Sequence, residues 1–248
     1  MNRRHSFLKG AKLGIPIAIG YIPIGIAFGV LASSTGIQTG IGVALSSILY
    51  AGASQFVGVG MMAAGASTLE IVATTLILNF RHFIMSSSLS QRLPATIGKR
   101  FLAVLAFGVT DESFAVASVQ PQPIFEPWNL FGLNTIAYLA WNAGTLIGLL
   151  LGDAIPGALA ASMGIALYAM FIGLLVPGLK GNLPMVTVAL LAITISSLIY
   201  YLPLFSGLAS GWRILAATLL AAGAGGKLLE KISLPENNSS REGGHKRD

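Results

Sequence analysis

The sequence contains no cysteine among its 248 residues. This absence excludes disulfides, thiolate metal sites and a cysteine nucleophile. Charge is also scarce: Asp, Glu, Lys and Arg together make up 10% of the chain, and no charged residue lies between Lys12 and Glu70. A soluble domain of this length needs many more charges to cover its surface. The composition therefore argues against a soluble globular protein.

What the chain does contain is long apolar runs, with 54% hydrophobic residues and a mean hydropathy of +0.77. Such runs fit a hydrocarbon layer about 30 Å thick, which a helix crosses in roughly 20 apolar residues. Barrel strands would alternate in polarity with period two, and no such alternation is present. The sequence predicts an all-α, polytopic integral membrane helix bundle with about seven to eight transmembrane helices. The eight predicted spans are Ala11–Ala32, Gly40–Ala64, Leu69–Leu89, Phe101–Val119, Trp128–Leu151, Ala158–Pro177, Pro184–Leu202 and Leu208–Leu228.

The net charge of +6 is concentrated at the two ends of the chain. We interpret it as a topology signal rather than as nucleic-acid binding, because cytoplasmic flanks of membrane helices carry an excess of Lys and Arg. Both termini are then cytoplasmic, which requires an even number of spans. The loop with Arg92, Lys99 and Arg100 disagrees, so seven spans stay an alternative. Residues 1–234 are predicted to form a single transmembrane domain, and the polar residues 235–248 a disordered tail.

The first predicted span carries Pro16 and Pro23 together with several glycines. Proline removes a backbone donor, so this composition predicts a broken first helix whose half-helix ends could hold charged substrate groups. The alternative is a kinked packing helix with Gly25-x-x-x-Gly29 as its contact face. Tyr50-Ala51-Gly52 is also similar to Asn142-Ala143-Gly144, which raises an inverted repeat as a hypothesis against a chance match of small residues.

Three charged side chains fall near the middle of predicted spans. Arg81 lies in the third span, where a central arginine costs about 2.5–3.5 kcal/mol and needs a partner or a water-filled cavity. Asp111 and Glu112 lie in the fourth, and we predict that Arg81 pairs with one of them. Two adjacent carboxylates are expensive in this setting, so the pair is expected to keep one proton. The alternative is an ion pair that only fixes helix register.

Other polar side chains in the spans could line a solute pathway or could simply form interhelical hydrogen bonds. Tyr50 and Ser54 share one helix face, and Asn79 and His82 share another at helical spacing. The candidate substrate-binding residues are Arg81, Asp111, Glu112, His82, Asn79, Gln55, Ser54, Tyr50, Tyr21 and Asn142.

No catalytic signature is present, since the sequence lacks a Gly-x-Ser-x-Gly elbow, a phosphate-binding loop and a histidine pair spaced for zinc. We therefore predict a transporter without enzymatic activity, cofactor or metal. Two alternatives stay open. One is an intramembrane enzyme that uses Asp111, Glu112 and His82, and the other is a membrane scaffold subunit that does not transport.

Several short motifs, in this order and spacing, resemble the AzlC family, the large subunit of bacterial branched-chain amino acid exporters. Phe80 stands where the family pattern has an aliphatic residue. The second half of the chain is similar mainly in length and hydrophobic layout. The matching motifs are Gly14-x-Pro16, Gly20-Tyr21-x-Pro23-x-Gly25-x-Ala27-Phe28-Gly29, Tyr50-Ala51-Gly52-Ala53-Ser54-Gln55-Phe56, Asn79-x-Arg81-His82 and Thr110-Asp111-Glu112.

The resemblance implies export of branched-chain or related amino acids from the cytoplasm across a bacterial inner membrane. It also implies a partner, a small hydrophobic membrane subunit of the AzlD type. Our reading of the residues adds proton-coupled alternating access around a site at the middle of the membrane. In this reading the substrate carboxylate meets Arg81 or a half-helix N-terminus, and the ammonium meets Asp111 or Glu112.

Overall fold

A computed structural model describes residues 2–120, 126–155, 183–205, 207 and 210–233, with isolated positions between 165 and 181. Within these residues the chain is helical, which confirms the predicted all-α class. Short 3-10 turns follow α7 and α8. The α-helices are α1 (Arg3–Ser34), α2 (Thr39–Ala44), α3 (Gly52–Ala63), α4 (Thr68–Ser90), α5 (Lys99–Phe107), α6 (Asp111–Ser118), α7 (Pro127–Leu151), α8 (Leu183–Tyr201) and α9 (Ser210–Ser233).

The predicted break in the first helix is wrong, because α1 runs unbroken through both Pro16 and Pro23. Proline is tolerated inside membrane helices where neighbouring elements accommodate the freed backbone group. Here α1 packs along α7 more extensively than any other described pair of helices. This long contact stabilises the helical path despite the two prolines.

The glycines of α1 serve close packing rather than flexibility. A Cβ on Gly25 would lie 2.8 Å from the Trp141 carbonyl oxygen, and one on Gly29 would lie 2.8 Å from the Gly148 Cα. Only glycine allows the two backbones to approach so closely, as in other small-residue helix interfaces. The alternative interpretation, Gly25-x-x-x-Gly29 as a contact face, is thus confirmed.

The breaks occur instead in the second and fourth predicted spans. In the second, α2 continues through a π-helical turn at Leu45–Leu49 and is separated from α3 by Tyr50 and Ala51. In the fourth, α5 and α6 meet at an angle of 114° around residues 108–110. The sequence predicted a continuous helix at both positions.

Side chains from neighbouring helices donate hydrogen bonds to backbone carbonyls next to these breaks. The Asn134 amide donates to the Leu105 carbonyl at 3.0 Å, and the Tyr138 hydroxyl donates to the Ser47 carbonyl at 3.0 Å. Because an unpaired backbone group in a bilayer costs several kcal/mol, roughly as much as a lost hydrogen bond or more, irregular backbone at this depth needs such partners.

Four described helices are long and apolar enough to cross a membrane, namely α1, α4, α7 and α8, and the bent pair α5–α6 would make a fifth. The count is below the predicted seven to eight for physical reasons. The second span is divided into short helices, α9 carries charged residues, and the sixth span (158–177) lies largely outside the described residues, as does the predicted tail.

Two compact units divide the chain, Met1–Ile172 and Gly173–Asp248. Helices α1 to α7 belong to the first unit, whereas α8 and α9 belong to the second and pack against each other. The single transmembrane domain over residues 1–234 stays a prediction. The inverted repeat also stays a prediction. Its two similar segments differ in structure, because Tyr50–Gly52 spans a helix break and Asn142–Gly144 lies inside the continuous helix α7.

Candidate functional site

The two helix breaks meet at one small cavity in the first unit. Residues from α1, α4 and α7 complete its wall. Its volume is about 20 Å³, which is roughly the space that one water molecule needs. The lining residues are Tyr21, Tyr50, Ala51, Gly52, Ala53, Arg81, His82, Thr110, Asp111, Glu112 and Trp141.

Arg81 on α4 and Asp111 at the start of α6 form an ion pair, with 2.8 Å between Arg81 Nη1 and Asp111 Oδ2. The predicted pairing of the third and fourth spans is therefore confirmed. Each side chain is about 30% exposed (31% and 30%). The pair brings a guanidinium and a carboxylate together at the wall of the cavity.

Glu112 has a different partner from Asp111. The Tyr21 hydroxyl of α1 donates to Glu112 Oε2 and lies 2.8 Å from Thr110 Oγ1. Among the described residues Glu112 takes part in no ion pair. A carboxylate that accepts from a phenol and lines a cavity can bind an ammonium group.

The first turn of α6 explains how both carboxylates come to face the cavity. Thr110 is the N-cap, and its hydroxyl accepts from the Ser113 backbone N–H while the Ser113 hydroxyl accepts from the Thr110 N–H at 2.8 Å. This reciprocal cap fixes the start of the helix. Asp111 and Glu112 then lie in the first turn, where the helix dipole favours negative charge.

His82 lies beside the ion pair on α4. Its Nδ1 is 2.9 Å from the Val109 carbonyl oxygen, a backbone group released by the α5–α6 break. Since a carbonyl only accepts, Nδ1 carries the hydrogen, and Nε2 is the nitrogen with a free lone pair in the neutral ring. Nε2 is buried and has no partner in the described part of the chain. It therefore adds an acceptor to the cavity wall.

Tyr50 lies at the other break, in a left-handed backbone conformation with φ of 43°. Its ring packs edge-on against Tyr138 with 5.0 Å between ring centroids. The side chain is 3% exposed. Its hydroxyl has no hydrogen-bond partner among the residues that the structure describes. The sequence pattern predicted Tyr50 as a candidate substrate-binding residue and gave no indication of the break.

The structure thus brings six predicted residues to the cavity and places four elsewhere. Gln55 lies behind the break, where its Oε1 accepts from the Ala51 N–H at 3.2 Å and from Trp141 Nε1 at 3.0 Å. Ser54 donates to Asn79, and Asn142 accepts from Ser47 at 2.7 Å. For Gln55, Ser54, Asn79 and Asn142 the alternative interpretation, hydrogen bonding between helices, describes the geometry.

The ten candidate substrate-binding residues did not include Trp141, Thr110 or the backbone of Ala51–Ala53, which line the cavity. The spacing Thr110-x-x-Ser113 indicated a helix start within the fourth span and could have predicted the α6 cap. Nothing comparable precedes α3, because Ala51 provides no side-chain cap.

The sequence profile described as AzlC protein matches residues 16–155, more than half of the 248-residue chain. The matched stretch contains both helix breaks and every lining residue of the cavity. The chain belongs to the AzlC family.

Relatives within the AzlC family include the inner membrane protein YgaZ of Escherichia coli K12, 36% identical over 176 residues, 68% of this chain and 72% of that protein. An uncharacterized membrane protein of Archaeoglobus fulgidus is 34% identical over 186 residues, 73% of this chain and 80% of its own length. The branched-chain amino acid transport protein AzlC of Bacillus subtilis is 30% identical over 160 residues, 62% of each chain. No solved structure gives a significant match. Family membership and these names support a membrane protein with a transport-related role.

Proposed function

We propose that this chain is the large permease subunit of a branched-chain amino acid exporter and carries no enzymatic activity. Family membership points to transport, and the observation that carries the proposal is the cavity. It combines an ion pair, a second carboxylate that forms no ion pair within the described residues, and two interrupted helices at one place. Interrupted helices that expose backbone ends are typical of substrate sites in secondary transporters.

The charges of the cavity favour a ligand with a cationic group. In the part of the chain that the structure describes, Arg81 pairs with Asp111, and Glu112 accepts from the Tyr21 hydroxyl without forming an ion pair. In our proposal Glu112 receives the substrate ammonium, and the Arg81–Asp111 pair holds α4 against α6. The apolar part of the wall, with Trp141 and Ala53, then faces an aliphatic side chain.

The size of the cavity supports an alternating-access cycle. A volume of about 20 Å³ has room for one water molecule but not for an amino acid. In our proposal, substrate entry therefore requires the elements around the cavity to separate. The two breaks are the natural places for such a movement, because interrupted helices can reorient in halves.

Export against a gradient needs an energy source, and Glu112 offers proton antiport. In the proposed cycle the carboxylate releases a proton when the substrate ammonium arrives and takes one up when the substrate leaves. In this cycle the proton and the substrate ammonium alternate at the Glu112 carboxylate, so the carboxylate is neutralised or paired at each stage. Burying an unpaired charge in a membrane protein is costly, which favours this exchange.

The chain would act in the bacterial inner membrane with both termini in the cytoplasm. A small hydrophobic subunit of the AzlD type would be its partner, as expected from the family resemblance. The exposed apolar faces of the helices would contact the lipid bilayer. One such face is that of α4 around Leu76 and Phe83.

Counterflow in proteoliposomes tests the proposal directly. Vesicles loaded with unlabelled leucine, isoleucine or valine should accumulate the labelled amino acid when this chain is present with the small subunit. A basic amino acid and a dicarboxylic one serve as controls that should not exchange. If none of the aliphatic amino acids exchanges, with or without the small subunit, the proposed function is wrong.

A further inference from the structure

The first turn of α3 opens onto the cavity without a cap. The first N–H groups of an α-helix have no acceptor within the helix, and capping side chains usually satisfy them. At α3 the N-cap residue is Ala51, which makes no side-chain cap. Gly52 and Ala53, which follow it, line the cavity. An anion there would meet backbone donors and the positive end of the helix dipole.

A second polar group at the same place also lacks a partner. Tyr50 precedes Ala51 and lines the same cavity, and its side chain is 3% exposed. Its hydroxyl has no hydrogen-bond partner in the described residues. Buried phenol hydroxyls usually find one, so a hydroxyl on a cavity-lining residue that has no partner in the described part of the chain indicates a missing acceptor.

The backbone at Tyr50 supports a functional role for the break. Tyr50 is the only described residue other than glycine with positive φ, at 43°. This conformation costs roughly 1–2 kcal/mol for a residue with a Cβ. Strain of this kind is concentrated at binding sites, where the surrounding structure holds a residue in place.

The two helix starts at the cavity differ in charge. The N-terminus of α6 already carries its own carboxylates, Asp111 and Glu112. The N-terminus of α3 carries none. A zwitterion complements this arrangement, since its ammonium would lie near Glu112 and its carboxylate near the start of α3.

We propose that the uncapped first turn of α3, with the N–H groups of Gly52 and Ala53 and the hydroxyl of Tyr50, binds the α-carboxylate of the transported amino acid. This inference rests on the proposed transport of amino acids and replaces Arg81 as the carboxylate ligand. Arg81 is already bound to Asp111 at 2.8 Å. The neutral donors of α3 can release the substrate more readily than a full positive charge would.

A comparison of leucine with leucinamide isolates the carboxylate. At a pH where the amine stays protonated, both ligands have the same side chain and ammonium, but only leucine carries the anion. We expect the native protein to bind leucine more tightly than leucinamide, measured by competition with labelled leucine in the complex with its small subunit.

Tyr50→Phe removes the hydroxyl and keeps the ring against Tyr138. It should weaken leucine about tenfold while changing leucinamide little, as expected for a hydrogen bond to a charged group.

Tyr138→Phe is the matched control. Tyr138 packs against Tyr50, but its hydroxyl donates to the Ser47 carbonyl at 3.0 Å and it does not line the cavity. It should keep the native preference for leucine. If Tyr50→Phe also keeps that preference, or if both variants lose it equally, the proposed carboxylate site is wrong.

A second variant tests the helix start without touching Tyr50. Ala51→Ser introduces the smallest side chain that can cap α3. Its hydroxyl would accept from the N–H of Ala53 or Ser54. It would therefore compete with the carboxylate at the start of α3, so leucine affinity should fall while the melting temperature does not. Unchanged leucine affinity with a raised melting temperature would contradict the site. Leucine exchange that persists in counterflow would still support the proposed function, whereas its absence in the native complex would overturn that function first.

Discussion

Asp111 and Glu112 are neighbours in the sequence, yet their side chains meet different partners. Asp111 pairs with Arg81 on α4, and Glu112 accepts from Tyr21 on α1. Successive residues of a helix point about 100° apart, so one turn can serve two neighbouring helices. The two carboxylates can therefore have separate roles, one structural and one in the transport cycle.

Replacement of Glu112 by Gln should separate exchange from energy coupling. The amide is isosteric but cannot release or take up a proton, and it offers the substrate ammonium no counter-charge. Labelled leucine should therefore exchange with weaker affinity, while accumulation driven by a proton gradient should be lost completely. Uptake into inverted vesicles with an imposed gradient measures both. Asp111→Asn is the matched control and should keep the response to the gradient. An identical response of the native chain and both variants would mean that protons are not coupled through this pair.

The Arg81–Asp111 pair should contribute to stability in a way that a double-mutant cycle can detect. Arg81→Gln and Asp111→Asn each leave one charge without its partner. Because both side chains are about 30% exposed (31% and 30%), we expect each to cost about 1–2 kcal/mol, less than a fully buried pair would. The double variant should be more stable than the sum of the single losses predicts. Thermal unfolding in detergent gives the four values, and strict additivity would contradict a direct pair.

At the scale of helices, the positions of the breaks show what local sequence can and cannot predict. Pro16 and Pro23 predicted a break in α1, but the glycine contact with α7 stabilises a continuous helix. Tyr50 and Ala51 carry no local breaker, and their break depends on partners distant in sequence. Tyr138 satisfies the Ser47 carbonyl across the break. Such long-range hydrogen bonds are invisible to a reading of propensity and periodicity alone.

The α1–α7 contact should be sensitive to a single methyl group. A Cβ on Gly29 would lie 2.6 Å from the Leu149 backbone nitrogen and 2.8 Å from the Gly148 Cα. Gly29→Ala should therefore destabilise the protein by about 1–3 kcal/mol, as is typical of overpacking. On the same helix, a methyl group on Gly20 would meet no atom within 4 Å, so Gly20→Ala should be neutral or stabilising because alanine favours helix. Melting temperatures in detergent measure both, and equal effects would mean that the helices do not pack this closely.

For the whole molecule, the sequence predicted the helical membrane class and the pairing of Arg81 with Asp111 or Glu112, and six of its ten candidate substrate-binding residues line the cavity. These predictions were possible because charged and polar side chains are costly in a bilayer and therefore lie next to one another in the protein interior. The sequence did not separate these six from Gln55, Ser54, Asn79 and Asn142, since all ten are polar residues in apolar spans. The distinction depends on which helix stops at the cavity, and that is a property of the packed first unit.

The predicted orientation of the chain in the membrane can be tested by cysteine labelling, because the native sequence contains no cysteine. Helix α1 has 32 residues, so it is about 48 Å long at 1.5 Å per residue and should project from both sides of a hydrocarbon layer about 30 Å thick. The basic residues Arg3 and Arg4 favour the cytoplasmic side for its first turn.

Single cysteines at three positions should therefore differ in their reaction with a membrane-impermeant maleimide. Ser34→Cys, at the far end of α1, should be labelled in intact cells. Asn2→Cys and Ser239→Cys should be labelled only after the membrane is permeabilised, because both termini are predicted to be cytoplasmic. The native chain has no cysteine and provides the background control. Labelling of Ser239→Cys from outside, with Asn2→Cys still protected, would indicate an odd number of spans, whereas protection of both termini requires the even number that the charge distribution predicts.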